Sequence, residues 1–322
     1  MTGAYLEGLD DLLALGLAGL SPSFRALQSA HVLSAQQDDG GFAGRRGTSD
    51  TYYTDFALRL LGALPADPAG EHRPTQQRAE AARALARAAD FLRSAPPPRD
   101  ALECFSVLNC ARLLAKSAIT VVLRSEAIAA TLERQRSMSG GHTRPGTTQR
   151  STYHSFLAAL CLGMLGGPLP APERAAAAIL ALQGPGGGFR EQETTGPEQT
   201  NATAAALGLL TLTARLQPEC VRRAAAFLRA MQAPDGGLRA HAEAHGGDLL
   251  STFTGLLTLA GLDEIAAVDL GAVGRFVKSC TRPGGGFGAS GLDPGADVEY
   301  TYYGVGCLAL LKAAVTSRRA GP

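Results

Sequence analysis

The sequence predicts an all-α protein: six helical hairpins set as two concentric rings of helices, an (α/α)6 toroid. Three observations lead there. A Gly-Gly turn recurs at a nearly constant interval, helix-forming segments alternate between amphipathic and apolar, and strand-like alternation is almost absent. Gly-Gly followed by a larger residue ends at Phe42, His142, Phe189, Leu238 and Phe287, at spacings of 100, 47, 49 and 49 residues. The first interval is two periods. The absent copy falls near residue 92, where "SAPPPRD" has prolines in place of glycines.

Residues 1–322 therefore read as one domain, with an extra helix in 1–20 and repeats near 24–64, 74–115, 120–166, 171–214, 217–262 and 266–313. Each repeat opens on an Ala/Leu/Arg-rich segment such as "PERAAAAILALQ" or "PECVRRAAAFLRAMQ", with Pro172 and Pro218 at helix starts. A glycine-rich turn ends it. The second segment is more apolar, as in "NATAAALGLLTL" and "STFTGLLTLAGL", and belongs to the inner ring around an apolar axial cavity.

The second segments share one register: Asp50 with Thr54, Ser151 with Ser155, Gln199 with Thr203, Asp248 with Thr252, Asp297 with Thr301. The leading residue of each pair stands where an N-cap would accept the free amide hydrogens of the first turn. A cap at the end of an inner helix also faces the cavity mouth, so a cap and an acid are compatible roles for these carboxylates.

Of the residues, 45% are hydrophobic and 18% charged, with a net charge of +1, which removes the basic face that nucleic-acid binding requires. Six cysteines show neither paired CxxC spacing nor the density of a small disulfide scaffold, and read as buried thiols of a cytoplasmic protein. The N-terminal apolar stretch carries Glu7, Asp10 and Asp11, which suits a helix rather than a signal peptide, and no run is suited to crossing a bilayer.

The Gln-to-Gly-x-aromatic pattern, "QDDGGF" from Gln37 and "QGPGGGF" from Gln183, resembles the repeat of squalene-hopene-type cyclases and protein prenyltransferase β subunits. It is closest to the β subunit of Rab geranylgeranyltransferase, whose last two repeats resemble the stretches from Met231 and Ser279. The resemblance implies a central funnel for an isoprenoid chain. In that family a zinc is held by an Asp, a Cys two residues later and a His in the next repeat. The matching positions are Asp248, Leu250 and Tyr300, and leucine cannot coordinate zinc. Glu198 replaces a diphosphate-contacting histidine. No metal and no other cofactor is expected. The cyclase string Asp-x-Asp-Asp is absent, as is tryptophan.

The candidate catalytic residues are Asp50, Asp297, Glu299 and Asp248, because protonating an alkene needs a carboxylic acid whose pKa is raised by burial or by a second carboxylate. Asp50 beside Asp297 or Glu299, across the closing ring, is the preferred pair. Tyr52, Tyr53, Tyr153, His154, Phe253, Tyr300, Tyr302 and Tyr303 are expected to line the cavity, where π-faces stabilise carbocations. Arg45 and Arg46 follow the first turn and suit a diphosphate, and Arg150 lies near an arginine that lines the isoprenoid site in the family. The reading is an enzyme that cyclises or rearranges a hydrophobic prenyl or polyene substrate without zinc. Alternatives are a prenyltransferase β-like chain with an α-type partner subunit, or a toroid that binds lipid or protein without catalysis.

Overall fold

Helical hairpins follow one another along the whole computed structural model, which describes residues 2–64, 75–193 and 196–319. The predicted start of the second repeat, at residue 74, lies outside the described residues. Among them are α1 (Thr2–Ala18), α2 (Pro22–Ser34), α3 (Thr51–Ala63), α4 (Thr75–Ser94), α5 (Ala101–Ala115), α6 (Ser125–Arg134), α7 (Thr152–Met164), α8 (Pro172–Leu180), α9 (Thr200–Leu212), α10 (Pro218–Ala230), α11 (Leu249–Gly261), α12 (Leu270–Ser279) and α13 (Val298–Arg319). Among the described residues, extended structure is confined to β1 (His142–Thr143), β2 (Arg150–Ser151) and isolated bridges in the loops. The fold is all-α, as the alternation of segments predicts. α2, α8 and α10 open on Pro22, Pro172 and Pro218, whose missing N–H is no loss in a first turn.

The chain forms two compact units. One comprises Met1–Glu7, Pro97–Phe105 and Arg124–Arg275; the other comprises Gly8–Pro96, Ser106–Leu123 and Phe276–Pro322. In the first, α9 packs against α7 and α11 and is covered by α8 and α10. α9 is buried along most of its length, which explains why its sequence has no polar face. In the second, α3 packs against α13, α2 and α4.

One turn design recurs in both units. The hydroxyls of Thr54, Ser155, Thr203, Thr252 and Thr301 each donate to the carbonyl four residues back, at 2.5–2.7 Å. The same oxygens accept the backbone N–H of Phe42, His142, Phe189, Leu238 and Phe287, at 2.8–3.2 Å. One hydroxyl thus ties the turn to the first turn of the following helix, and all five are buried. The rings of Phe42, Phe189 and Phe287 are fully buried beside it.

Coupling from hairpin to hairpin uses glycine. Gly40, Gly140, Gly187, Gly236 and Gly285 all take φ between 91° and 103°. A Cβ there would lie 2.3–3.0 Å from the carbonyl oxygen of Arg87, Arg174, Arg223, Ala272 or Leu27, respectively. In each case that carbonyl belongs to the first helix of a neighbouring hairpin. For the last turn the neighbour is α2: Gly286 N–H donates to Gln28 Oε1 at 2.8 Å, and Phe287 meets Phe24 edge-on. The last repeat therefore docks on the first. Gln36, Gln183 and Gln232 reinforce the contact by donating both to their own turn and to a carbonyl of the next hairpin.

Two substitutions test this design by thermal or denaturant unfolding. Thr252→Val leaves the buried Leu238 N–H without its acceptor and is expected to cost about 1–3 kcal/mol. Gly187→Ala is expected to cost several-fold more than Gly146→Ala. Both glycines have positive φ, a strain of about 1 kcal/mol for alanine, but only the Gly187 methyl would strike a backbone carbonyl.

Candidate functional site

The N-terminal ends of α3 and α13 bring together most of the chemistry that the sequence offers. Asp297 caps α13, accepting the Tyr300 N–H at 2.8 Å, and its side chain is buried. Its other oxygen accepts Arg45 Nε at 2.7 Å. The two terminal nitrogens of the Arg45 guanidinium clasp Asp293 at 2.7 and 2.6 Å, a bidentate fork, and its Cζ lies 5.4 Å from the centre of the Tyr300 ring. This pairing holds the Asp293 carboxyl well below the usual carboxylate range.

Glu299 lies two residues further on, in the first turn of α13. Its Oε1 accepts the Tyr52 hydroxyl at 2.6 Å and the Tyr303 hydroxyl at 3.3 Å. Burial raises its pKa, and the nearby Asp297 charge raises it further, against the pull of the two phenols and of Arg45. Tyr53 is raised by burial and by Glu299, Asp297 and Asp50 together. Around these groups the rings of Tyr52, Tyr53, Phe56, Tyr302, Tyr303 and Tyr300 form a continuous set of edge and tilted contacts, with centroids 5.0–6.1 Å apart.

Beneath lies a second polar cluster. Asp55 is buried against Arg59 and accepts Asn109 Nδ2 at 2.6 Å, while burial raises its pKa. The Arg59 guanidinium lies 5.1 and 5.3 Å from the ring centres of Phe56 and Tyr302. Arg112 joins Asn109 to Asp10 of α1, and Lys116 also donates to Asp10. Arg59 thus links this cluster to the aromatic rings.

Several expectations need correction. Asp50 is an exposed cap that accepts the Tyr53 N–H at 2.7 Å, a location that does not protect an acid from ionisation. Glu299 is held by phenols and Asp297 by Arg45, so the arrangement is a carboxyl–tyrosine cluster rather than a carboxylate dyad. Asp248 lies in the other unit and caps α11 through the Ser251 N–H at 2.7 Å, although burial does raise its pKa. Arg45 is committed to two carboxylates, and Arg46 is exposed in the loop before α3. Arg150 is buried in its own turn, donating to Gly140 O, Ala178 O and Ser139 Oγ and pairing with Glu193, so it is structural. Tyr153, His154 and Phe253 also belong to the unit of Asp248. There His154 is buried with Nδ1 3.1 Å from Ser151 Oγ, Tyr153 meets it edge-on, and Phe253 is buried in α11.

The zinc site that the family resemblance implies does not fit these residues. Leu250 offers no donor atom, Asp248 is engaged as a cap, and the Tyr300 ring lies against Arg45. Among the described residues no group of three or more His, Cys, Asp or Glu side chains is arranged to hold a metal ion. Glu198 accepts the Gly186 and Gly188 N–H groups at 2.9 and 2.8 Å and so closes its turn. All six cysteines are buried free thiols, and no described helix is long and apolar enough to cross a membrane.

A family model for the prenyltransferase alpha-alpha toroid domain matches residues 96–247 and 168–320, well over half of the chain. The chain belongs to the prenyltransferase α-α toroid family. A search of curated proteins found no match. Among solved structures, protein geranylgeranyltransferase-I of Candida albicans, complexed with GGPP, is similar at 15% identity over 90% of this chain and 91% of that one, with a TM-score of 0.66. The type II terpene cyclase MstE of Scytonema is similar at 17% identity over 92% and 99%, with a TM-score of 0.61. A variant of MstE has been solved with geranylgeranyl dihydroxybenzoate. An α-1,6-mannanase of Salegentibacter shares the fold at 13% identity over 91% and 99%, with a TM-score of 0.58. At these identities the likeness shows the toroid fold and leaves the reaction to the site.

Asp293, Asn109 and Arg59 were not among the sequence candidates. Asp293 sits in "SGLDPGAD", which reads as a turn, and its pairing with Arg45, 248 positions away, has no signal in one sequence. A direct check on the site is the Glu299 carboxyl, followed by carbon NMR as pH is varied. Because its folded pKa is raised, the stability it contributes is full below the ordinary glutamate pKa of about 4.3 and is lost as pH rises through the folded value. Tyr52→Phe removes a hydrogen bond to the ionised form and is expected to move that titration further up.

Proposed function

We propose that this member of the toroid family is an isoprenoid-handling enzyme that cyclises or rearranges a prenyl or polyene chain by proton-initiated chemistry without zinc. The observation that carries this reading is Glu299: a carboxyl whose ionisation is opposed by burial, held by two phenols and ringed by aromatic side chains. Oε1 is engaged by Tyr52 and Tyr303, which leaves Oε2 to carry the proton. The neutral acid transfers that proton to an alkene carbon. The π electrons form the new C–H bond and leave a carbocation on the adjacent carbon. Ring faces stabilise the cation, and exclusion of water protects it from quenching. Attack by a second alkene closes a ring. Loss of a proton to the Glu299 carboxylate then restores a double bond and the acid.

A prenyltransferase β-like chain with an α-type partner is the second reading, favoured by the likeness to geranylgeranyltransferase-I. The donor set at Asp248, Leu250 and Tyr300 counts against it.

Incubation of the protein with a panel of polyenes and prenyl compounds, followed by product analysis, tests the proposal. Glu299→Gln is expected to lower turnover about a hundredfold or more, as loss of a general acid does, while Asp50→Asn stays within a few-fold of wild type. Activity should fall as pH rises through the raised Glu299 pKa. Asp297→Asn should move that fall to lower pH, because it removes a charge that favours the neutral acid. Full activity in Glu299→Gln excludes Glu299 as the acid, and no product from any compound favours a non-catalytic toroid.

A further inference from the structure

We propose that the Gly-Gly turn at residues 140–141, together with the start of α8, forms a binding site for a small carboxylate. All of its residues belong to the unit that includes Arg124–Arg275, whereas Glu299 belongs to the other. In four of the five Gly-Gly turns the chain supplies an acceptor for the N–H of the second glycine. Gly41 donates to Asp39 Oδ1 at 3.0 Å, Gly188 to Glu198 Oε2 at 2.8 Å, Gly237 to Asp235 Oδ1 at 3.0 Å, and Gly286 to Gln28 Oε1 at 2.8 Å. Three of these acceptors are carboxylates. The remaining turn departs from the pattern: Gly141 is buried, and its N–H has no acceptor among the described residues. A buried N–H is normally paired, so this one invites an oxygen from outside the chain.

The cause lies in the neighbouring helix. This turn and the last one are alike in holding both glycines at positive φ, 103° and 74° for Gly140 and Gly141, 92° and 78° for Gly285 and Gly286. They also dock in one register. A Cβ on Gly285 would meet Leu27 O and His31 Cβ, and one on Gly140 would meet Arg174 O and Ala178 Cβ. Gln28 therefore corresponds to Ala175, whose methyl group is no acceptor. With alanine there, a cleft of about 30 Å³ opens beside Gly141, lined also by His142, Arg174 and Ala175. That is roughly two to three times the room that one water needs, enough for a carboxylate group.

The rest of the cleft suits the same ligand. His142 is 2% exposed, and its Nδ1 has no hydrogen-bond partner. Burial lowers its pKa to about 4, so the ring is neutral near pH 7 and can donate a proton from that nitrogen. Arg174 is exposed, and its guanidinium reaches Met138 O at 3.4 Å rather than a carboxylate. Arg136 also lines the cleft but is paired with Glu133. α8 begins here without a side-chain cap, and its first-turn amides favour a negative charge. Met138, Leu169 and Pro170 complete the wall and fit a short aliphatic body.

Amide proton–nitrogen NMR of the isotope-labelled full chain, titrated with isovalerate or inorganic phosphate at constant ionic strength, tests the site. Isovalerate is expected to shift the Gly141 amide saturably and to bind about tenfold more tightly than phosphate, which has no aliphatic body to set against the wall. Ala175→Gln restores the amide that Gln28 provides in the last turn and fills the cleft, so affinity should fall about tenfold or more. Arg174→Gln changes an exposed side chain, keeps the test readable if Ala175→Gln fails to fold, and should weaken binding about threefold. A Gly141 amide unmoved by isovalerate, phosphate bound as tightly as isovalerate, or unchanged affinity in the folded variants would overturn the proposal.

Discussion

A single hydroxyl in each repeat that carries a Gly-Gly turn is the constraint on which the rest of this structure depends. Thr54, Ser155, Thr203, Thr252 and Thr301 each donate backwards to a cap carbonyl and accept a turn amide, so the glycine turn and the helix after it become one rigid piece. The positive-φ glycine in that piece then fits against the backbone of a neighbouring hairpin with no room for a side chain. Because the last such turn docks on α2, the ends of α3 and α13 are held side by side, and residues some 250 positions apart share one electrostatic environment.

That environment is shaped by an imbalance. Acids from the first and last repeats gather around Tyr53, and one guanidinium, Arg45, compensates Asp297 among them while it also clasps Asp293. Glu299 is left to the phenols, which stabilise its charge less than a guanidinium would, so burial and Asp297 prevail and the pKa of the carboxyl is raised. Cap, clamp and acid thus follow from one packing arrangement, and each limits what the others can do.

The fold was legible because its cause is local and repeated. Glycine spacing, proline helix starts and the Asp/Ser-x3-Thr/Ser register each report a backbone requirement within about fifteen residues, and Asp50, Ser151, Asp248 and Asp297 all prove to be caps. At Gln199 the register continues without a side-chain cap bond. The site was legible only in its neighbourhood. Asp297 meets Arg45 and Glu299 meets Tyr52 of the first repeat, but which carboxyl meets an arginine and which a tyrosine depends on loops 43–50 and 288–297, and no periodicity governs them. Arg150 misled for the same reason: its sequence position suits a ligand, and only the packing of Gly140, Ala178 and Ser139 around it reveals a buried staple.

The central claim is that chemistry begins with proton transfer from Glu299, and product formed in deuterium oxide tests it most directly. A carboxyl acid exchanges with solvent, so a proton-initiated cyclisation must place one deuterium on the initiating carbon of the product. The account predicts that label, with no inorganic pyrophosphate released. Unlabelled product accompanied by pyrophosphate would contradict it, because the reaction would then begin by ionisation of a diphosphate and Glu299 would not be the group that starts it.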